Sequence, residues 1–295
     1  MNRPVLVTGS SSGIGLSTTR HLAERGVPVY ATVRNEADAA RLDRIDGVEA
    51  ILCDVTDDDQ VARMRQMIEG RGRGLWGLVN NAGVAHAGAL TDVSVGSMRE
   101  HFEINLFGVH RVIHAVADLI IASAGRIVNI SSIHGTYSGA DGGVYSMAKH
   151  ALEAYTDSLA LELRGHGVHV CVVAPGNFDS ALITNYVKNV PMQDSTPEWV
   201  RNFYEPGAQT ARPQFPPPDA VARACYEALF DPAPLRRYLI TPNENEAHVT
   251  LKKAALELVQ LNQYTPYRHT TSGLYALIDE VTEMLAAAGV PPKEA

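Results

Sequence analysis

Short runs of β-branched and aliphatic residues alternate with helix-length amphipathic stretches from residue 4 to about residue 242. That alternation is the pattern of βαβ units wound around a parallel sheet. Seven runs predict strands: Pro4–Thr8, Pro28–Val33, Val48–Cys53, Leu75–Asn80, Arg126–Ser131, Val168–Ala174 and Arg237–Thr241. Each is nearly continuously apolar, as expected of strands covered by helices on both faces. Between them, apolar residues at helical spacing predict helices over 13–25, 57–69, 94–123, 143–165 and 219–230, the last with Asp219 as N-cap behind Pro216-Pro217-Pro218. The fold class that follows is α/β, a doubly wound seven-stranded parallel sheet.

Two regions break the rhythm. Residues 177–215 form a long insertion between the sixth strand and the next helix, a length usual for a functional loop or substrate lid. Residues 243–295 form a C-terminal extension whose apolar spacing predicts two amphipathic helices, roughly 244–262 and 273–288, around a Tyr264–Thr271 turn. No repeat or linker divides the chain, so residues 1–242 read as one domain with the extension packed on it.

Composition narrows the function classes. The 295 residues are 45% hydrophobic and carry a formal net charge of −8, which excludes a disordered chain and argues against a nucleic-acid partner. The apolar stretch Leu119-Ile120-Ile121-Ala122 falls short of a bilayer span, and no secretory signal precedes Val5. The expectation is a cytoplasmic chain without a membrane partner. Cys53, Cys171 and Cys225 lie far apart and form no zinc spacing, which predicts reduced core thiols. His110 and His114 share a helix face without an evident third ligand, so no metal is expected.

The candidate chemistry sits at strand ends. Thr8-Gly9-Ser10-Ser11-Ser12-Gly13-Ile14-Gly15 joins the first strand to the first helix. Glycines there allow a tight turn and close approach of a pyrophosphate, and the helix N-terminus attracts its charge. Ser11 and Ser12 add hydroxyl donors. Asp54-Val55 closes the third strand and Asn80-Asn81-Ala82-Gly83 the fourth, at the edge where open α/β sheets bind ligands. At the end of the second strand, Val33 occupies the place of the acidic residue that would hold a 2′-hydroxyl, and Arg34 follows it. A cation without a carboxylate favours a 2′-phosphate, hence NADP(H).

Tyr145-Ser146-Met147-Ala148-Lys149 opens the helix after the fifth strand, and residues four apart share one helical face. A fixed ammonium beside a phenol lowers its pKa, which suits proton transfer to a carbonyl oxygen. Ser132 ends the fifth strand at the same edge, and Asn105 is a polar amide inside a long apolar helix that needs a partner.

Taken together in this order, Thr8-Gly9-x-x-x-Gly13-x-Gly15, Asp54, Asn80-Asn81-Ala82-Gly83, Asn105, Ser132, Tyr145-x-x-x-Lys149 and Pro175-Gly176 resemble the short-chain dehydrogenase/reductase family of the single-domain, Rossmann type. The resemblance covers residues 4 to about 242, and the second strand is most similar to NADP-using hydroxysteroid and retinol dehydrogenases. It implies that Tyr145 is the general acid or base, that Lys149 lowers its pKa and holds the nicotinamide ribose, that Ser132 polarises the substrate oxygen, and that Asn105 holds a relay water. It further implies that Pro175-Gly176 packs near the nicotinamide, with Ser180 standing where the family often has a carboxamide-binding threonine. The helices 94–123 and 143–165 would make a homo-oligomer, a dimer or tetramer.

The 177–215 insertion is rich in aromatics (Phe178, Tyr186, Trp199, Phe203, Tyr204 and Phe215), and His134 and Tyr137 lie between Ser132 and Tyr145. A bulky apolar small-molecule substrate is expected. Two other readings stand beside the NADP(H) carbonyl reductase: an NAD(H)-dependent alcohol dehydrogenase, and a non-catalytic dinucleotide sensor acting through residues 243–295.

Overall fold

In the computed structural model, which describes residues 3–139, 142–180, 182 and 215–287, seven strands lie in one sheet. They are β1 (Val5–Val7), β2 (Val29–Val33), β3 (Val48–Leu52), β4 (Gly77–Asn80), β5 (Arg126–Ile130), β6 (His169–Pro175) and β7 (Arg237–Ile240). Their order is β3-β2-β1-β4-β5-β6-β7, and every neighbouring pair is parallel. All seven predicted strands are present, trimmed or shifted by one or two residues.

The helices described are α1 (Gly13–Ala23), α2 (Glu36–Leu42), α3 (Asp58–Gly70), α4 (Val95–Phe102), α5 (Gly108–Ala122), α6 (Gly143–Leu163), α7 (Asp219–Phe230), α8 (Glu244–Gln263) and α9 (Thr271–Ala287). Helices α1–α3 and α5–α7 cover the sheet on both faces, and alternation along each strand divides the core. Val5 and Val7 join a cluster with Leu22, Leu42 and Leu229, while Leu6 joins Met64, Val116 and Leu152 on the other side. Cys53, Cys171 and Cys225 are buried free thiols, and burial pushes all three up, Cys53 and Cys225 to about 12 and Cys171 to about 11.

Four expectations need correction. Helix α2 is additional: it starts because the Asn35 side chain accepts from the Asp38 amide at 2.9 Å, a cap that apolar periodicity does not reveal. Asp219 is the first residue of α7 rather than its cap; its carboxylate instead accepts from Ser17 Oγ on α1 at 3.0 Å. The expected 94–123 helix is broken by a π-helical segment, Glu103–Phe107, between α4 and α5. Finally, the Val95–Ala122 span contains an 18-residue window with a mean hydropathy of 1.5 and is long and apolar enough, by length and composition only, to cross a membrane, which the short 119–122 run does not suggest. A core helix meets the same test, and here Val112, Val116 and Ile120 are fully buried against the sheet.

A buried polar chain runs through the middle of the sheet. Asn80 Nδ2 donates to Asn129 Oδ1 at 2.9 Å, Asn129 Nδ2 to Thr156 Oγ1 at 2.9 Å, and Thr156 Oγ1 to the Leu152 carbonyl at 2.6 Å. None of the three residues exceeds 2% exposure. Truncating the middle member strands the Asn80 Nδ2 donor on one side and takes the donor from Thr156 Oγ1 on the other, so Asn129→Ala should lower unfolding free energy by ~2–4 kcal/mol in urea denaturation, against about 1 kcal/mol for Thr156→Val.

Candidate active site

The turn after β1 needs glycine for two separate reasons. Gly9 and Gly13 have φ of +69° and +53°, the left-handed region. Gly15 has an ordinary backbone, but a Cβ there would overlap the Gly9 carbonyl oxygen and Asn81 Nδ2. Side chains then lock the turn to its neighbours. Thr32 Oγ1 accepts from the Gly9 amide at 3.1 Å, and Thr8 Oγ1 accepts from the Asn81 and Ala82 amides at 3.0 and 3.1 Å. Asn81 Nδ2 donates to the Thr8 and Gly9 carbonyls, both at 3.0 Å. Ser12 precedes α1 without a side-chain bond to its first turn. A backbone cradle closed to any Cβ, opening on an uncapped helix N-terminus, fits a dinucleotide pyrophosphate. Thr32 is a residue that motif reasoning missed; its signal is a hydroxyl at a strand end, too common to single out.

This turn forms one wall of a cleft of about 540 Å³ along the carboxyl ends of the strands. The cleft brings together Gly9, Ser11, Ser12, Gly13, Ile14, Arg34, Asp54, Val55, Asn81, Ala82, Gly83, Ser132, Tyr145, Lys149, Pro175, Gly176 and Ser180. Of the residues expected at the site, Gly15 and Asn105 lie behind its surface. Val84, Ala85, His86, Ile104, His134 and Tyr137 also line it. Tyr186, Trp199, Phe203 and Tyr204 lie outside the described residues. Phe178 borders the cleft but is 4% exposed and belongs to the core cluster beside Val221 and Tyr238.

At one end, Arg34 follows the buried Val33 and is exposed. Arg41, not anticipated, donates from Nη2 to the Ser11 carbonyl and pairs with Asp38 at 2.8 Å, tying α2 to the glycine turn. Asp54 turns its carboxylate to the Thr56 amide and hydroxyl at 2.9 and 2.8 Å, while its own amide donates to Gln60 Oε1 at 3.0 Å.

At the other end, α6 presents Tyr145 and Lys149 one turn apart, both buried. Lys149 Nζ donates to the Ile130 carbonyl at 2.8 Å and lies 5.6 Å from the Tyr145 ring centroid. Ser132 hydrogen-bonds the Tyr145 side chain, and Ser132 Oγ accepts from the His134 amide at 3.2 Å. The His134 ring packs edge-on to Tyr145, with centroids 5.5 Å apart, and its Nδ1 lies 2.9 Å from Ser146 Oγ. Asn105, within the π-helical segment, makes three hydrogen bonds through its side chain. Its Oδ1 accepts from the Val84 amide at 3.2 Å, and its Nδ2 donates to the Val84 and His101 carbonyls, both at 3.0 Å. The amide thus fastens the segment after β4 to the helix.

The expected electrostatics of the pair are reversed by burial. Desolvation pushes Tyr145 from its ordinary 10 up to about 12, against the opposing pull of its Ser132 hydrogen bond. Lys149 is pulled down to about 8 by the same desolvation, opposed by the nearby Glu153 carboxylate. At neutral pH Tyr145 is therefore a phenol and Lys149 mostly an ammonium. Among the described residues no group of three metal-ligating side chains occurs; His110 stacks on His114 and meets Tyr155 Oη at 3.1 Å.

Residues 3–191 match the family model described as short chain dehydrogenase. The mitochondrial D-beta-hydroxybutyrate dehydrogenase of Bos taurus is 35% identical over a stretch covering 69% of this chain and 64% of that protein. The 17-beta-hydroxysteroid dehydrogenase type 6 of Rattus norvegicus is 36% identical, covering 68% of this chain and 65% of that protein. The chain thus spans a little under two thirds of the length of these curated relatives. Among solved structures, a short-chain dehydrogenase from Streptomyces avermitilis superposes with a TM-score of 0.76 at 28% identity, covering 89% of this chain and 96% of the other.

The depressed Lys149 pKa makes a stability prediction. The unfolded lysine keeps its proton up to the ordinary 10.5, whereas the folded one releases it near 8. Between those values the unfolded state binds more protons, so wild-type stability gains from this group as pH rises through the window. Lys149→Met lacks the group. Its stability relative to wild type should fall by about 3 kcal/mol between pH 7.5 and 10.5 in paired urea titrations.

Proposed function

Because this chain belongs to the short-chain dehydrogenase family, we propose that it is an NADP(H)-dependent oxidoreductase interconverting a carbonyl and a secondary alcohol on a bulky, uncharged substrate. The observation that carries this reading is the buried Tyr145 hydroxyl, bonded to Ser132 and backed by Lys149, at one end of the strand-edge cleft.

The dinucleotide, when bound, supplies or accepts the hydride; Gly9, Gly13, Asn81 and Ala82 would hold it through backbone and turn geometry, and Lys149 and Ser180 would meet its nicotinamide half. The chain's own residues manage the proton. Tyr145, a phenol at neutral pH, holds it on Oη and donates it to the carbonyl oxygen, while Ser132 Oγ orients that oxygen. The Lys149 ammonium, 5.6 Å from the Tyr145 ring centroid, stabilises the resulting phenolate in a buried setting that strengthens Coulombic attraction. Ile130 and Asn105 keep this arrangement rigid, the first by fixing Nζ and the second by pinning Val84 behind it.

Cofactor preference rests on Arg34, the exposed guanidinium bordering the cleft where Val33 supplies no carboxylate; Arg41 is already engaged by Asp38. Substrate class rests on the lining at the Tyr145 end. His134 packs on Tyr145 there and Tyr137 on His134, and among the described residues the charged cleft-liners are Arg34, Asp54 and Lys149. Exposed Phe107, Met147 and Leu161 on the α4–α6 side support a homo-oligomer.

Two measurements test this. Tyr145→Phe should cut turnover at least a hundredfold while leaving dinucleotide Kd within about twofold; retention of a tenth of wild-type kcat overturns the proton-donor role. Arg34→Ala should weaken NADPH roughly 10- to 150-fold in isothermal titration at fixed salt and barely change NADH. Tighter wild-type binding of NADH than of NADPH overturns the cofactor assignment.

A further inference from the structure

The carboxylate of Glu246, in the first turn of α8, reaches a turn 69 residues earlier in the chain. Glu246 Oε2 accepts from the Asn177 amide at 2.8 Å, and Oε1 accepts from Asn177 Nδ2 at 3.2 Å and from Asn243 Nδ2 at 3.1 Å. A Cβ on Gly176 would overlap Oε2, so the carboxylate packs directly on the backbone there. Gly176 itself donates its amide to the Ile240 carbonyl at 2.8 Å.

That turn is a wall of the cleft: Pro175, Gly176, Asn177 and Ser180 all line it. Its far side is held as well. Ser180 packs on Gly13, whose added Cβ would stand 2.9 Å from Ser180 Cβ, and the Asp179 amide donates to the Pro216 carbonyl at 2.9 Å. Glu246 is therefore the tie that fixes the turn at its start. Without an acceptor there, the Asn177 amide and side chain lose their partners at a cleft surface.

Taking the dinucleotide site proposed above as given, we infer that Glu246 is a positioning residue for the cofactor: it is the contact through which the C-terminal extension sets the Pro175–Ser180 wall. A helix-capping role alone does not account for it. Glu244 shares the first turn of α8 and the same helix dipole but lies exposed, away from the Asn177 turn.

Three variants in the full-length protein separate these roles, read by NADPH titration and by hydrogen exchange of peptides covering 172–182 without cofactor. E246Q puts a donor where two donors already converge, so NADPH Kd should rise about tenfold and exchange at Asn177 should accelerate. E244Q should match wild type in both. The swap E246Q/N177D restores a complementary donor–acceptor pair and should return Kd to within about threefold of wild type. If E246Q melts before titration, N177A, which removes one donor and keeps the backbone amide, should raise Kd about threefold. Unchanged Kd and exchange in E246Q (or, in its stead, N177A), an equal loss in E244Q, or no recovery in the double variant overturns the inference. Failure of wild type to bind either dinucleotide would instead overturn the site itself.

Discussion

The sheet order reverses direction between β1 and β4, and at such a reversal the connections leave on opposite faces and a crevice must open. Backbone groups at the two strand ends there have no ladder partner. Thr8 and Asn81 answer that need across the gap, the threonine hydroxyl accepting two amides and the asparagine amide feeding two carbonyls. Everything else at the cleft is referenced to this cross-tie. It sets Gly15 tight against the Gly9 carbonyl, aims the start of α1 outward, and delivers Ala82, Gly83 and Val84 to the side of Asn105.

The opposite end of the cleft is governed by dryness rather than by hydrogen-bond satisfaction. Burial opposes ionisation of Tyr145 and opposes the charge on Lys149, so at neutral pH the tyrosine stays a neutral phenol and the protein bears the desolvation cost on the lysine. For the lysine, the Ile130 carbonyl and the nearby Glu153 carboxylate offset part of that cost. Such a pair is poorly chosen for stability and well chosen for holding a proton at a fixed atom, since the same low dielectric that penalises each charge strengthens their mutual influence.

Much of this was legible in the sequence because parallel strands buried on both faces leave unbroken apolar runs, and each β-strand was found on that signal. The glycine turn, Asn81, Ser132, Tyr145 and Lys149 were readable because their spacing carries the chemistry. The rest failed for identifiable reasons. Helix α2 has only 7 residues and starts from an Asn35 cap, too little for periodicity. The π-helical segment around Asn105 inserts into a helix without altering its composition. The sign of the Tyr145 and Lys149 shifts depends on burial, which spacing does not encode. Glu246 meets Asn177 only after the chain has passed through β7, and no local pattern joins them.

The amide chain Asn80–Asn129–Thr156 has a consequence for how the sheet finds its alignment. A strand with one wet face is aligned by its own alternation, because a slip of one residue would turn apolar side chains to water. Strands β4 and β5 are apolar toward both faces, so that penalty is weak for them. Asn80 and Asn129 are cross-strand partners in the native pairing. Sliding β5 past β4 in either direction would leave both amides alone among hydrocarbon, and the two polar residues thereby act as the alignment mark that an all-apolar strand lacks.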